Sequence, residues 1–459
     1  MEASELLLEV GAYCREAGLA ETTFGRLAVN DGKLVARLRE GGRITGRTLD
    51  RVRAYISEHP AANGASRSVI RPIREAPPVT VSEVKDSRRN FRFFDNRQKY
   101  LLFVTTCGEK WVVASRIAEE LANLRPRPPA LRVFDAGVGD GTVLARVMRA
   151  MHASFPTMPF YIVGKEISLE DIRLTLDKLP DRFYEHPATV VVLTNMFYSE
   201  APWLRVHSPA HAASMVWHEV PLVGTASLDF EAQIAELQPF LSKNWKAKAS
   251  PVSGNPVYER PVVLVLYRQD HRFLLDAIVP KAGQAEANYD LVIASQPYRA
   301  RVPAQFKATR VVAPLARALG PGGRLIGIHS HGHDPGMEII NQVWPGENPF
   351  ESGRHAVLDA VKREIGSLRG EFNFNAYSDS RSIFRYDMNT LPNEVSGPIG
   401  TSTLFAAWNA AIYVAQIEDE RLDDVVRSGA YMEATRDVLS RHGGLWFLDE
   451  SYVISRRRA

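Results

Sequence analysis

Through the middle of the chain, apolar residues gather into short continuous runs. Each run stops at polar or glycine-rich sequence, and stretches of helical spacing lie between them. Leu131, Val133 and Phe134 form the first run, closed by Asp135. Phe160 to Gly164 form the second, closed by Lys165-Glu166, and Ala188 to Leu193 the third, closed by Thr194-Asn195-Met196. Tyr289 to Ser295 form the fourth, and Arg324 to Ile328 the fifth, entered through the turn Gly320-Pro321-Gly322-Gly323. Runs of this length bounded by turn residues predict strands covered on both faces. Val143, Leu144 and Val147, and later Val312 to Leu319, follow the helical period. Strand and helix in alternation predict an α/β fold on a mostly parallel sheet.

The same pattern divides the chain. Residues 1–60 read as a small all-helical module. Leu6, Leu7, Val10 and Tyr13 line a first helix, Thr23 to Val29 a second, Lys33 to Glu40 a third and Thr45 to His59 a fourth. Residues 61–89 are rich in Pro, Ser, Ala and charge without a helical period, which predicts a linker. Residues 90–459 then form the α/β domain, with a helix from Glu109 to Leu124 ahead of the first strand. Between the third and fourth runs an insertion spans about 197–285, where one helix would suffice. Its runs Ser214 to Val220 and Pro261 to Tyr267 predict two more strands, so it is either a substrate-side cap or an added sheet edge. Beyond the fifth strand, Ala356 to Leu368, Leu404 to Ile417 and Asp423 to Arg441 predict helices. Ser382 to Tyr386, Gly444 to Phe447 and Ser451 to Ser455 predict closing strands.

The candidate chemistry sits in LRVFDAGVGDGTVL, from Leu131 to Leu144. Gly137, Gly139 and Gly141 let a ligand approach the backbone without a Cβ in the way. The dinucleotide fingerprint needs its third glycine three places after the second, whereas Gly141 follows Gly139 by two. Asp135 before the loop and Asp140 inside it would repel a pyrophosphate and attract an ammonium. The run resembles the first motif of class I S-adenosylmethionine-dependent methyltransferases, an acidic residue followed by three alternating glycines. That resemblance implies a Rossmann-like domain with a seven-stranded, mostly parallel sheet, helices on both faces and an antiparallel hairpin at its close. It implies S-adenosylmethionine as cofactor, held by Asp135, Gly137, Gly139, Asp140 and Gly141. Glu166, at the end of the second strand, matches the ribose-binding carboxylate; Asn195 and Met196 match the residues placed against adenine. In the amino-methyltransferases of nucleic acids the fourth strand ends in a polar residue, two prolines and an aromatic. Here the run is Ser295-Gln296-Pro297-Tyr298, with Gln296 in place of the first proline. The expected catalytic residues are Ser295, Tyr298 and His329, with Gln296, Pro297, Arg299 and His331 binding substrate. Alternating His329, His331 and His333 with Asp334 suggest a metal on paper, but the sulfonium is already activated, and no metal is expected.

Net charge and cysteine usage narrow the setting. A net charge of +3 over 459 residues does not by itself call for a polyanion, and two distant cysteines support neither a disulfide framework nor a thiolate zinc site. No apolar run reaches the ~18 residues of a membrane span, so a cytoplasmic protein is expected. Locally, eight basic residues against three acidic ones lie between Arg26 and Arg53. Residues 1–60 resemble helix-turn-helix domains of the phage-repressor type, which implies DNA binding through Lys33, Arg37 and Arg43. The other reading of that module is a helical bundle used for dimerisation, giving a homodimer, or for substrate docking. For the whole chain two readings stand: a methyltransferase acting on an unidentified acceptor, small molecule or nucleobase amine, and a DNA-binding transcription regulator that senses S-adenosylmethionine without catalysis.

Overall fold

A computed structural model describes residues 2–17, 21–29, 31–39, 44–59, 97–250, 255–389 and 399–458. It divides into two compact units, Met1–Thr80 and Val81–Ala459. The expected linker and Arg43 lie outside the described residues.

In the first unit four helices, α1 (Glu2–Ala17), α2 (Glu21–Val29), α3 (Leu34–Arg39) and α4 (Gly46–Glu58), enclose Leu6, Val10, Phe24, Leu34, Leu38 and Val52. Thr45 begins α4 by accepting from the Thr48 amide. The surface arginines that give this segment its charge are partly neutralised within the unit. Arg37 pairs with Asp31 at 2.9 Å, Arg39 with Glu21 at 2.5 Å and Arg53 with Glu9 at 3.2 Å. Lys33 is exposed.

The second unit is built on one ten-stranded sheet. Its strands are β1 (Leu131–Asp135), β2 (Phe160–Lys165), β3 (Thr189–Thr194), β4 (Val216–Leu222), β7 (Val262–Arg268), β8 (Tyr289–Ser295), β9 (Leu319–Ser330), β10 (Phe372–Asn375), β11 (Ile383–Asp387) and β12 (Trp446–Arg456). A separate two-stranded ribbon is formed by β5 (Ala247–Ala249) and β6 (Pro256–Tyr258). The order across the sheet is β10-β12-β9-β8-β1-β2-β3-β7-β4, with β11 also on β12. β3, β2, β1, β8 and β9 run parallel; β12 is antiparallel to β9. The chain leaves β1 toward β2 on one side and returns to β8 on the other. A crevice therefore opens beyond the carboxyl ends of β1 and β8, the switch point where open parallel sheets bind ligands.

Alternation along the strands fills both faces. Phe134, Tyr161, Val163, Val190, Val192 and Val292 pack on one side; Val133, Ile162, Val191, Leu193, Leu291 and Ile293 on the other. Helices α5 (Arg97–Thr106), α6 (Glu109–Leu121), α7 (Thr142–Ser154) and α8 (Leu169–Leu176) frame the crevice.

Two expectations need correction. The sheet has ten strands, not seven, because the insertion supplies β7 and β4 outside β3 and because β12 carries β11 as well as β10. β7 lies antiparallel to β3, and β4 parallel to β7. The expected closing strands at 444–447 and 451–455 are one strand, β12, carrying β9 on one edge and both β10 and β11 on the other. The polar pair Asp449-Glu450 interrupts its apolar pattern without interrupting its backbone ladder.

Candidate active site

The glycine loop leaves β1 in a tightly self-bonded turn. Asp135 accepts from the Gly137 amide at 3.1 Å, and Glu166, at the end of β2, accepts from the Gly139 amide at 3.0 Å. The Val138, Gly141 and Thr142 amides are also bonded, to Lys165, Val138 and Asp140. Gly139 at φ +56° and Gly141 at φ +78° take left-handed backbone that side chains disfavour, and Gly141 also leaves room for Thr175 of α8. A Cβ on Gly137 would meet nothing within 4 Å, so this glycine faces open space.

Three carboxylates line the crevice. Asp135 and Glu166 are buried. Burial, with the charge of Glu166 added, pushes Asp135 up to about 7. Burial also raises Glu166, against the pull of Lys165 and of the amides it accepts from, including Ser168 at 2.8 Å. Burial pushes Asp140 the same way, but Lys110 at 2.6 Å, Thr142 and Lys178 outweigh it and hold that carboxyl low. Lys110 of α6 also donates to Tyr100 of α5 at 2.8 Å, so both helices reach the loop.

Other expected residues divide. Asn195 uses both ends of its amide on main chain, donating to the Arg260 carbonyl at 3.0 Å and accepting from the Val262 amide at 2.8 Å. It ties the end of β3 to the head of β7. Met196 is fully buried in the core beside it. Tyr198, which spacing did not reveal, donates to the Pro297 carbonyl at 2.8 Å and feels the charges of Glu166 and Asp135 after its burial. Trp245 from the insertion is buried and donates to the Glu166 carbonyl at 3.1 Å.

Beyond β8 the expected acceptor residues fall into two groups. Tyr298 shares a 2.6 Å hydrogen bond with His329 Nδ1, and His329 Nε2 a 2.7 Å bond with Glu450. Arg354 closes the chain on Glu450 at 2.7 Å, and His331 approaches it at 3.5 Å. Lys307 is buried over the Tyr298 ring, and burial lowers its ammonium to about 8. Burial lowers His329 despite Glu450, while burial of Glu450 is outweighed by His329, His331 and Arg354, which hold its carboxyl far below its ordinary range. Both ring nitrogens of His329 are therefore occupied inside a closed network.

The second group is open. Gln296 is exposed, with φ +47°, a left-handed strain of ~1 kcal/mol or more for a non-glycine. Its amide donates toward Ser330 at 3.2 Å, Asp449 at 3.3 Å and Glu109 at 3.4 Å. Ser330 and Asp449 are register partners across β9 and β12, and His329 and Glu450 are the next pair, on the opposite face. Ser295 ends β8 half-buried beside this group, and Arg299 follows it, also half-buried. Among the described residues no group of His, Cys, Asp and Glu is arranged to hold a metal, and no helix is long and apolar enough to cross a membrane.

No family model matches the chain, and no curated protein sequence matches it. Three similar solved structures are distant. A geranyl diphosphate methyltransferase in complex with GPP and sinefungin is 12% identical, with 75% of this chain and 78% of that one covered and a TM-score of 0.28. A putative sarcosine dimethylglycine methyltransferase from Galdieria sulphuraria is 9% identical, over 76% and 85%, with a TM-score of 0.27. The rRNA methyltransferase aviRa from Streptomyces viridochromogenes is 16% identical, over 47% and 72%, with a TM-score of 0.21. Similarity this distant assigns no family, and the functional reading rests on the site.

Proposed function

We propose that the chain is an S-adenosylmethionine-dependent methyltransferase, with the methyl donor in the crevice over Gly137–Gly141 and the acceptor above the ends of β8, β9 and β12. The observation that carries this reading is the polarity of the crevice. The amides of Gly137, Val138, Gly139, Gly141 and Thr142 are bonded within the protein, while Asp135, Asp140 and Glu166 line the walls. A diphosphate would find carboxylates and few donors there. A ligand bearing an ammonium and ribose hydroxyls finds complementary partners.

Asp135 would hold the ammonium and Glu166 the ribose, while Tyr198, packed against the core that contains Met196, supplies apolar surface toward the base. When bound, the donor supplies a methyl on a cationic sulfur that leaves as a neutral thioether. The work left to the protein is binding, alignment and exclusion of water, worth up to ~7–11 kcal/mol in well-oriented systems. In this reading Tyr298 and His329 position the β8 and β9 ends rather than touch the acceptor, because their polar atoms are already paired with each other, Tyr452 and Glu450. Gln296, with Ser295 beside it, faces the acceptor.

Gly137 gives the sharpest test, since its added side chain would enter the crevice and not the core. Gly137→Leu is expected to keep the thermal midpoint of the unaltered chain and to weaken S-adenosylmethionine binding at least ~100-fold, as a side chain that fills a ligand's volume does. Calorimetry showing unchanged affinity in a folded variant removes the donor from this crevice.

A further inference from the structure

The group around Gln296 holds two buried polar atoms that the protein leaves without partners. Asp449 is fully buried, and its Oδ2 has no hydrogen-bond partner. Tyr386 is buried on β11, two residues along from Phe384, the register partner of Asp449, and its hydroxyl is also unpartnered. After burial, the charges of Asp449 and Glu109 raise that phenol most, so it sits near both carboxyls without bonding to either. Burial and the neighbouring charges of Glu109 and Asp334 hold Asp449 well above the ordinary carboxylate range, and burial raises Glu109. A buried carboxylate oxygen left unsatisfied is costly to keep. A site that keeps one facing a second carboxyl and a free phenol is built for a donor that is not part of the chain.

The position fits. Glu109 is followed by Lys110, which reaches Asp140 in the glycine loop at 2.6 Å. Gln296 follows β8, whose Ile293 carbonyl accepts from Ala136 just after β1. The acidic group therefore lies beside the loop, and Gln296, which donates toward both acids, is its exposed member.

Resting on the methyl-donor reading, we infer that Glu109, Asp449 and Gln296 form the acceptor's seat, and that it takes a nitrogen nucleophile: an amine rather than a carboxylate or a thiol. An acceptor carboxylate would meet buried Asp449 and half-buried Glu109. An amino nitrogen gives its N–H to Asp449 Oδ2 and keeps its lone pair for the methyl. As the N–C bond forms, the donor's C–S bond breaks with its electron pair left on sulfur. The proton shed by the alkylated nitrogen passes to Asp449 in its ionised form, the raised proton affinity of that carboxyl favouring the transfer.

Two donor analogues test this on the full chain without knowledge of the acceptor. Sinefungin carries an amine on the carbon that replaces the methyl-bearing sulfur, whereas S-adenosylhomocysteine has nothing there. The unaltered chain is expected to bind sinefungin at least ~10-fold more tightly, as a charge-assisted hydrogen bond provides. Asp449→Asn is expected to bring that ratio near one while leaving S-adenosylhomocysteine affinity within about threefold, the increment of a few tenths of a kcal/mol that a site not in contact contributes; retained affinity also shows that the variant folds. Glu109→Gln serves as a second, milder substitution, with a partial loss of the preference. Equal affinity for the two analogues in the unaltered chain, or a preference that survives both substitutions, overturns the amine seat. Failure of either analogue to bind overturns the methyl-donor reading beneath it.

Discussion

Asp135 keeps its proton to a pH where an ordinary aspartate has lost it, because burial and Glu166 push it up to about 7. An entering ammonium favours the ionised form, so binding below that pH releases a proton. S-adenosylmethionine affinity, measured by calorimetry, is expected to rise roughly tenfold per pH unit at most up to about 7 and then level off. Asp135→Asn is expected to be weaker and flat with pH. The same shift acts on stability with the opposite sense: between the ordinary aspartate range and 7 the folded state holds a proton the unfolded state lacks, so this residue's contribution falls as pH rises. Asp135 and Glu166 were legible because they terminate strands at fixed distances from the glycines. Glu109, Asp449 and Tyr386 were not, since they reach one spot from three separate segments. His329 shows a different limit. In a strand buried on both sides no apolar alternation reveals which neighbour faces the ligand, and it is Ser330 that shares the open face with Asp449.

The insertion acts at the scale of elements. Its two strands were readable as apolar runs within two residues of their ends, β4 at Val216–Leu222 and β7 at Val262–Arg268. Their order and direction were not, because nothing local distinguishes an added edge from a cap. The joint between old and new sheet is Asn195, whose amide meets the Arg260 carbonyl and the Val262 amide. Asn195→Ala leaves both main-chain groups without that partner and is expected to cost about 1–3 kcal/mol in urea unfolding. A change below a few tenths of a kcal/mol would show that the joint is held elsewhere. β10 escaped the sequence because Phe372–Asn375 is only four residues long. β12 was read as two strands because the acids of the site interrupt its apolar run, a local rule broken where the chemistry is.

At the scale of the whole chain, the glycine loop, the carboxylates and the acceptor group all belong to Val81–Ala459, while Met1–Thr80 has a core of its own. A protein beginning at Val81 is expected to bind S-adenosylmethionine within about twofold of the full chain, since independent sites couple by only a few tenths of a kcal/mol; calorimetry on the two forms decides it. That β3, β2, β1, β8 and β9 run parallel followed from strand and helix alternation, but their order and the strands beyond β3 required the three-dimensional structure. Those outer strands bear on self-association. Without them β3, with three successive valines and a leucine, would offer a bare ladder of backbone donors and acceptors to any neighbouring copy. The margin instead falls on β4, where Pro221 has no N–H to give and Glu219 carries charge, so lateral growth by edge-to-edge zipping stops there.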